Sequence, residues 1–286
     1  MMKQQDHLQI FDLILTVRSP LFIGDGRMYT KAEYLYCTRN GRASLLDEQK
    51  FFTFLTDRGL IDRYIQFMLC NQSNLRDFLT EDCGVSDTDL NALTRYTIEA
   101  GDAVTNSPKN LYTFQRDAHD RAYIPGSSLK GALRTVWLLQ AVRADQSTGH
   151  SLASDDNAAF PEEQYVNQLH LRLQEDGSIA SDAVNSLFRG VQVSDSKPIP
   201  NEQMALCGKF DVLPDGSFPK NSKKGIPLFR ECAIPGAAVR FKLTLDQSVL
   251  KGRITKESLI DAIQQFDTYY KQTYRARFKA PSGAVN

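Results

Sequence analysis

The stretch Tyr123–Arg134, YIPGSSLKGALR, sets two glycines five positions apart around two serines and a lysine, and a helical apolar pattern follows. Such spacing is suited to holding a phosphate. A nucleotide-hydrolysing loop needs Lys and then Ser or Thr directly after the second glycine, to reach the terminal phosphates and magnesium. Here Ala132 and Leu133 follow Gly131, so both groups are missing. No Gly-x-Gly-x-x-Gly follows a strand, which disfavours a dinucleotide fold as well. The remaining chemistry is positioning. Pro125-Gly126 ends a strand, and Ser127 or Ser128 can cap the helix. Free N–H groups at a helix start, aided by the dipole, favour an anion. Lys130 and Arg134 lie four apart and share a face, while Leu129, Leu133, Val136 and Trp137 take the other side. Gly131 lets a sugar-phosphate come close. This suits a repeated phosphate such as an RNA backbone, which needs holding but no chemistry. The same residues equally make a capped helix with a solvated cationic face.

Two places hold groups for catalysis. RDAHDR carries Asp117, His119 and Asp120, a histidine between carboxylates that can serve as a general base or metal ligand. These residues are nearly consecutive in a loop, so their side chains need not converge, and they read as a solvated polar loop. Asp25, between Gly24 and Gly26, is the residue to suspect in a metal-dependent ribonuclease. No Ser-His-Asp or Cys-His grouping is legible. The five cysteines, Cys37, Cys70, Cys83, Cys207 and Cys232, are odd in number and none pairs at CxxC spacing. That argues against a disulfide framework and a zinc site, and for reduced thiols. No metal or cofactor is expected.

The elements that must position these residues alternate between strand and helix. The chain has 286 residues, 42% hydrophobic and 24% charged, enough for a sizeable core. Its formal net charge is +0, so a nucleic-acid role must come from local clusters or from partner subunits. The polar N-terminus and the lack of a long apolar run point to a soluble, cytoplasmic protein without a membrane span. Leu8–Val17 reads as a buried strand, and Ala32–Cys37 as a second. Apolar residues at helical spacing from Phe51 to Tyr96 indicate a helical insertion over about residues 47–99, with Ser86 as a cap. Leu111–Asp117 and Ala122–Pro125 read as strands, and a helix over about Ser128–Val142 follows. The Ser/Asp/Ala-rich segment after it reads as a linker, and a domain boundary is placed near residue 150. In the second half GVQVSDS, MALCGKFDVL, IPLFREC and AVRFKLTLD read as strands, and Thr255–Phe278 as a long amphipathic helix. The expected class is α+β: two ferredoxin-like domains, residues 1–150 with the helical insertion and residues 151–286.

Taken with YIPGSSLKGALR, three further stretches, SPLFIGDG, RGVQVSDSKPI and IPLFRECAIPG, resemble the RAMP superfamily of CRISPR effector proteins. Within it they look most like the fifth-subunit family of the type III-A Csm complex. The resemblance implies RRM-like folds assembled along a CRISPR RNA. It also implies a non-catalytic subunit at the 3′-guide end that supports guide maturation. Its partners would be the CRISPR RNA, other Csm subunits, especially the backbone RAMP subunit, and host nucleases. A RAMP-family ribonuclease is the alternative. By motif match, Gly24 and Gly26 would lie near the RNA, and Ser127, Ser128, Lys130 and Arg134 would contact phosphates. Arg189, Ser194, Ser196 and Lys197 would line a second face, joined by Arg230. A basic segment over Cys207–Gly225, with Lys209, Lys220, Lys223 and Lys224, sits where backbone RAMP subunits carry a thumb. Many relatives carry a histidine in the first glycine-rich turn; this chain has Phe22 there.

Overall fold

A computed structural model describes residues 7–70, 74–100, 110–147, 165–178, 180, 183–208, 213, 215–217 and 228–278. Strand β1 (Leu8–Thr16) alternates along LQIFDLILT, and its period of two turns Phe11, Leu13 and Leu15 toward the core. It pairs antiparallel over its whole length with β10 (Ala238–Asp246), from Leu8↔Asp246 to Thr16↔Ala238. β10 also pairs antiparallel with β7 (Val191–Val193), giving a three-stranded sheet of order β1-β10-β7. Helices α5 (Gly126–Ser147) and α7 (Lys256–Thr273), the latter preceded by the short α6 (Gln247–Leu250), pack on one another beside this sheet. Leu133 and Trp137 of α5 meet Leu243 and Leu245 of β10 and Leu259 of α7 in one core. The chain order β1, α5, β7, β10, α7 is a β-α-β-β-α unit with the central strands of a ferredoxin-like sheet. Its other face is open, with Ile10 and Ile14 exposed beside Arg240 and Lys242.

A second, seven-stranded sheet has the order β2-β6-β9-β8-β5-β4-β3. Its strands are β2 (Gly24–Tyr29), β3 (Tyr34–Cys37), β4 (Arg42–Leu46), β5 (Thr94–Glu99), β6 (Asn110–Phe114), β8 (Met204–Gly208) and β9 (Leu228–Ala233). Tyr34, Tyr36, Leu111, Leu206 and Phe229 form its buried face. Both sheets draw strands from either side of residue 150. Residues 148–164, where the linker was expected, lie outside the described residues.

The insertion is helical over α1 (Glu48–Asp57), α2 (Ile61–Cys70), α3 (Leu75–Asp77, continued by a π-turn to Asp82) and α4 (Asp87–Leu93). Ser86 accepts the Asp89 N–H and caps α4, as its sequence predicts. The expected helical character over Thr94–Glu99 gives way to strand β5, bridged between β4 and β8. Tyr96 continues the Leu90/Leu93 spacing, but TRYTIE is β-branched and aromatic, and the sheet claims it. Ala122–Pro125 is likewise no regular strand; Ala122 makes isolated bridges to Arg116 and Ile199. Among the described residues no helix is long and apolar enough to cross a membrane.

Candidate nucleic-acid interface

Helix α5 starts at Gly126, two residues before its expected start. A Cβ on Gly126 would lie 2.1 Å from the Val193 carbonyl oxygen, so only glycine lets the helix start touch the exit of β7. The exit segment then laces itself to the strand before α5. The Ser196 N–H donates to the Ile124 carbonyl at 3.0 Å, and the Ser196 hydroxyl accepts from the Ile124 N–H at 2.9 Å. Further along β10, the Ser194 N–H donates to Lys242, and the Lys197 N–H to the Arg240 carbonyl. Ser194 and Ser196 therefore spend their hydroxyls on this lacing, including the Lys242 N–H that Ser194 accepts.

The cap of α5 differs from the sequence expectation. Asp195 on the β7 exit accepts the Gly126 N–H at 2.8 Å. The N–H groups of Ser128 and Leu129 turn back to the Pro125 carbonyl. A carboxylate therefore already stands where a phosphate was expected, and neither Ser127 nor Ser128 is the cap. The cap lies sixty-nine positions away in sequence, beyond any local pattern.

What stays open is the flank of the helix. Ser127 and Ser128 are exposed, and Lys130 and Arg134 follow on one face. Among the described residues neither cation meets a carboxylate. Burial, and then the neighbouring Arg134 charge, lower the Lys130 pKa from its usual value. The buried Nε of Arg134 has no hydrogen-bond partner. Two adjacent like charges without an acid between them are held together at a cost, which an anion laid across both would relieve. Lys197 is exposed on the adjoining β7 exit. Arg189 instead donates to the Val184 carbonyl at 3.0 Å.

The remaining candidates sit on the seven-stranded sheet. Gly24 pairs with Phe114, and Gly26 takes φ +86, a conformation that favours glycine. Arg230 on β9 is exposed, and its guanidinium lies 5.2 Å from the Phe22 ring centroid. Lys209, Lys220, Lys223 and Lys224 lie outside the described residues.

The two catalytic suspects, far apart in sequence, come together. Asp25, Asp117 and Asp120 line one polar cavity of about 330 Å³ with Arg27, Arg95 and Arg116. Each carboxylate is already engaged. Asp25 accepts from the Thr113 hydroxyl at 2.8 Å and the Arg27 N–H at 2.9 Å. Asp120, at φ +59, accepts from Arg95 Nε at 2.8 Å. Asp117 accepts from Arg121 Nε at 2.8 Å, and the Arg121 hydrogen bonds hold its carboxyl down at about 2. Among the described residues no group of three His, Cys, Asp or Glu side chains is placed to hold a metal ion.

Below this cavity lies a buried ion pair that sequence reading missed. Glu231 is 0% exposed and receives Arg116, itself 6% exposed. Glu231 also accepts the Phe114 N–H at 2.9 Å, and Arg116 lies 3.9 Å over the Tyr96 ring. The signal was available: in LFRECA, Glu231 falls on the same strand face as Phe229 and Ala233, both buried.

Comparison with known proteins decides the family. The model of the RAMP superfamily matches residues 14–273. The chain belongs to the RAMP superfamily. It is 29% identical over 282 residues to the CRISPR-system protein Csm5 of Streptococcus thermophilus, covering 94% of this chain and 72% of that protein. To Csm5 of Enterococcus italicus it is 24% identical, over 96% of this chain and 70% of the relative. The fold is similar to the crystal structure of Csm5 from T. onnurineus, with a TM-score of 0.68 and 18% identity over 92% of this chain and 81% of that one. It is also similar to a chain in a cryo-EM structure of a type III-A Csm–crRNA–target RNA ternary complex. There the TM-score is 0.66 at 20% identity, covering 92% of this chain and 76% of that one. The RAMP assignment and the resemblance to Csm5 expected from the sequence both hold.

Proposed function

We propose that the chain is a non-catalytic, RNA-binding subunit of a type III-A Csm complex. In this reading it caps the 3′-guide end, beside the backbone RAMP subunit, and supports guide maturation by host nucleases. One observation carries the RNA contact: Lys130 and Arg134 share a flank of α5 with no carboxylate partner, at a corner locked by Gly126 against β7. The relatives' names supply the setting, a Csm complex bound to crRNA and target RNA.

The test is binding of a labelled CRISPR-repeat-derived RNA by the full chain at two salt concentrations. The RNA is afterwards run on a denaturing gel. Lys130→Glu/Arg134→Glu should abolish most binding, and about 1.4 of the log–log salt slope should go with two lost single-strand phosphate contacts. The RNA should stay intact. Unchanged binding by the double variant would refute the assignment.

The ribonuclease alternative has one observation in its favour, the convergence of Asp25, Asp117 and Asp120 on one cavity. Against it, each carboxylate already answers an arginine or a hydroxyl. Asp25→Ala should leave cleavage by the assembled complex unchanged; loss of cleavage would favour this second reading.

A further inference from the structure

The cavity that gathers the three aspartates has the wrong electrostatics for a phosphate and the wrong donor set for a cation. Its carboxylates are matched by guanidinium groups: Arg95 on Asp120, Arg121 on Asp117, and Arg27 beside Asp25. Arg116 is neutralised from beneath by Glu231. A free phosphate would meet three carboxylates, and a metal ion would have to displace arginines. A ligand for such a site is neutral, polar and small enough for about 330 Å³. The walls add a second requirement. Tyr29 lines the cavity and packs against the aromatic core of the sheet, whereas the Tyr96 ring is already covered by the Arg116 guanidinium. Tyr29 favours a planar ligand.

Two carboxylate oxygens of the lining accept no hydrogen bond among the described residues: Asp120 Oδ1, buried against the Arg95 guanidinium, and the more open Asp25 Oδ2. Asp25 Oδ1 is taken by the Thr113 hydroxyl and the Arg27 N–H. Oδ2 accepts no hydrogen bond among the described residues, and the Arg27 Nε stands 4.0 Å away. A carboxylate oxygen free at the side of a flat, charge-balanced cavity calls for an N–H donor on a planar ring. The Arg27 side chain is 62% exposed at the mouth, where a phosphate can reach it without entering.

We propose that this cavity takes one unpaired nucleobase by its N–H edge, from the single-stranded RNA of the proposed function, with its phosphate outside at Arg27. This rests on the RNA-binding reading but is tested apart from it. The probes are free adenosine, guanosine, cytidine and uridine, with N3-methyluridine as the base that has no N–H, followed by saturation-transfer NMR on the full chain. Neutral nucleosides have no phosphate and do not need the α5 flank. The four natural nucleosides should bind about tenfold better than N3-methyluridine, the worth of one hydrogen bond to a charged acceptor. Lys130→Glu/Arg134→Glu should not change that ratio, whatever it does to RNA.

Asp25→Asn gives the sharper result. Thr113 and Arg27 both donate to the inner oxygen, so they hold the amide oxygen there and turn its NH₂ outward. The preference should then shift toward N3-methyluridine, which offers only carbonyls. Tyr29→Ala, on an unchanged fold by circular dichroism, should weaken all four nucleosides together. The proposal is overturned if the wild type binds no nucleoside or shows no preference. It is equally overturned if Asp25→Asn and Tyr29→Ala both leave the pattern intact.

Discussion

Glu231→Leu isolates the cost of the charge pair that underlies the candidate sites. Glu231 is fully buried and Arg116 nearly so, and they hold each other across β6–β9. Arg116 also binds the Asp120 carbonyl and the Tyr96 ring, and Glu231 takes the Phe114 N–H. Leucine removes the acid and leaves a guanidinium buried among aromatic carbon. Removing one partner of a buried pair costs about 3–5 kcal/mol. For a chain of this size that lowers Tm by very roughly 6–20 °C. Arg116→Leu/Glu231→Leu removes both charges and should recover a good part of the loss. It should not recover all of it, because the Asp120 carbonyl and Phe114 N–H remain unanswered. Thermal unfolding of the single and double variants gives the coupling between the two positions. If Glu231→Leu lowers Tm by less than about 2 °C, the pair is not what fixes this part of the sheet.

Three other perturbations probe separate parts of the molecule. Gly126→Ala drives a methyl into the Val193 carbonyl and should destabilise by about 1–3 kcal/mol in urea unfolding; a neutral result would mean the corner yields easily. Asp195→Ala removes the α5 cap and should cost about 1 kcal/mol, read the same way. The same change should strengthen RNA binding, since it opens the helix start and deletes the negative charge that caps it; weaker binding would show that Asp195 orients the cationic flank. Asp117 has its folded pKa depressed to about 2 by Arg121, so its contribution to stability is present above the unfolded value and is lost as pH falls through about 2. The Tm gap between wild type and Asp117→Asn should be constant above pH 5 and close on acidification. A gap that persists at pH 2 would place the effect elsewhere.

Local pattern was readable and distant pairing was not. The alternation of β1 and β10 and the Ser86 cap follow from period and capping chemistry. The pairing of Leu8 with Asp246 has no local signature, because nothing in either strand names its partner. For the same reason two sequential domains looked natural in a chain whose sheets each mix strands from both halves. At the site, the sequence found the α5 flank and the two acidic loops. It could not show that Asp195 occupies the helix start, that Ser194 and Ser196 are spent on backbone, or that Asp25 faces Asp117. Each depends on residues 48 or more positions apart in the chain.

These contacts explain how one chain can carry both acidic loops and the proposed RNA-facing surface without one spoiling the other. Aspartates left unpaired beside Lys130 and Arg134 would compete with phosphate for the same cations. The fold instead hands Asp117 to Arg121 and Asp120 to Arg95, and turns Asp195 into the cap of α5. Among the described residues the flank cations are then left without a carboxylate partner. A net charge of +0 is therefore compatible with a cationic face, because what matters is which charges the fold leaves uncompensated. Adding an acid within one helical turn of Lys130, as in Ser127→Glu, should weaken RNA binding more than adding one on the exposed face of α2. If both changes act equally, binding follows net charge and not this flank.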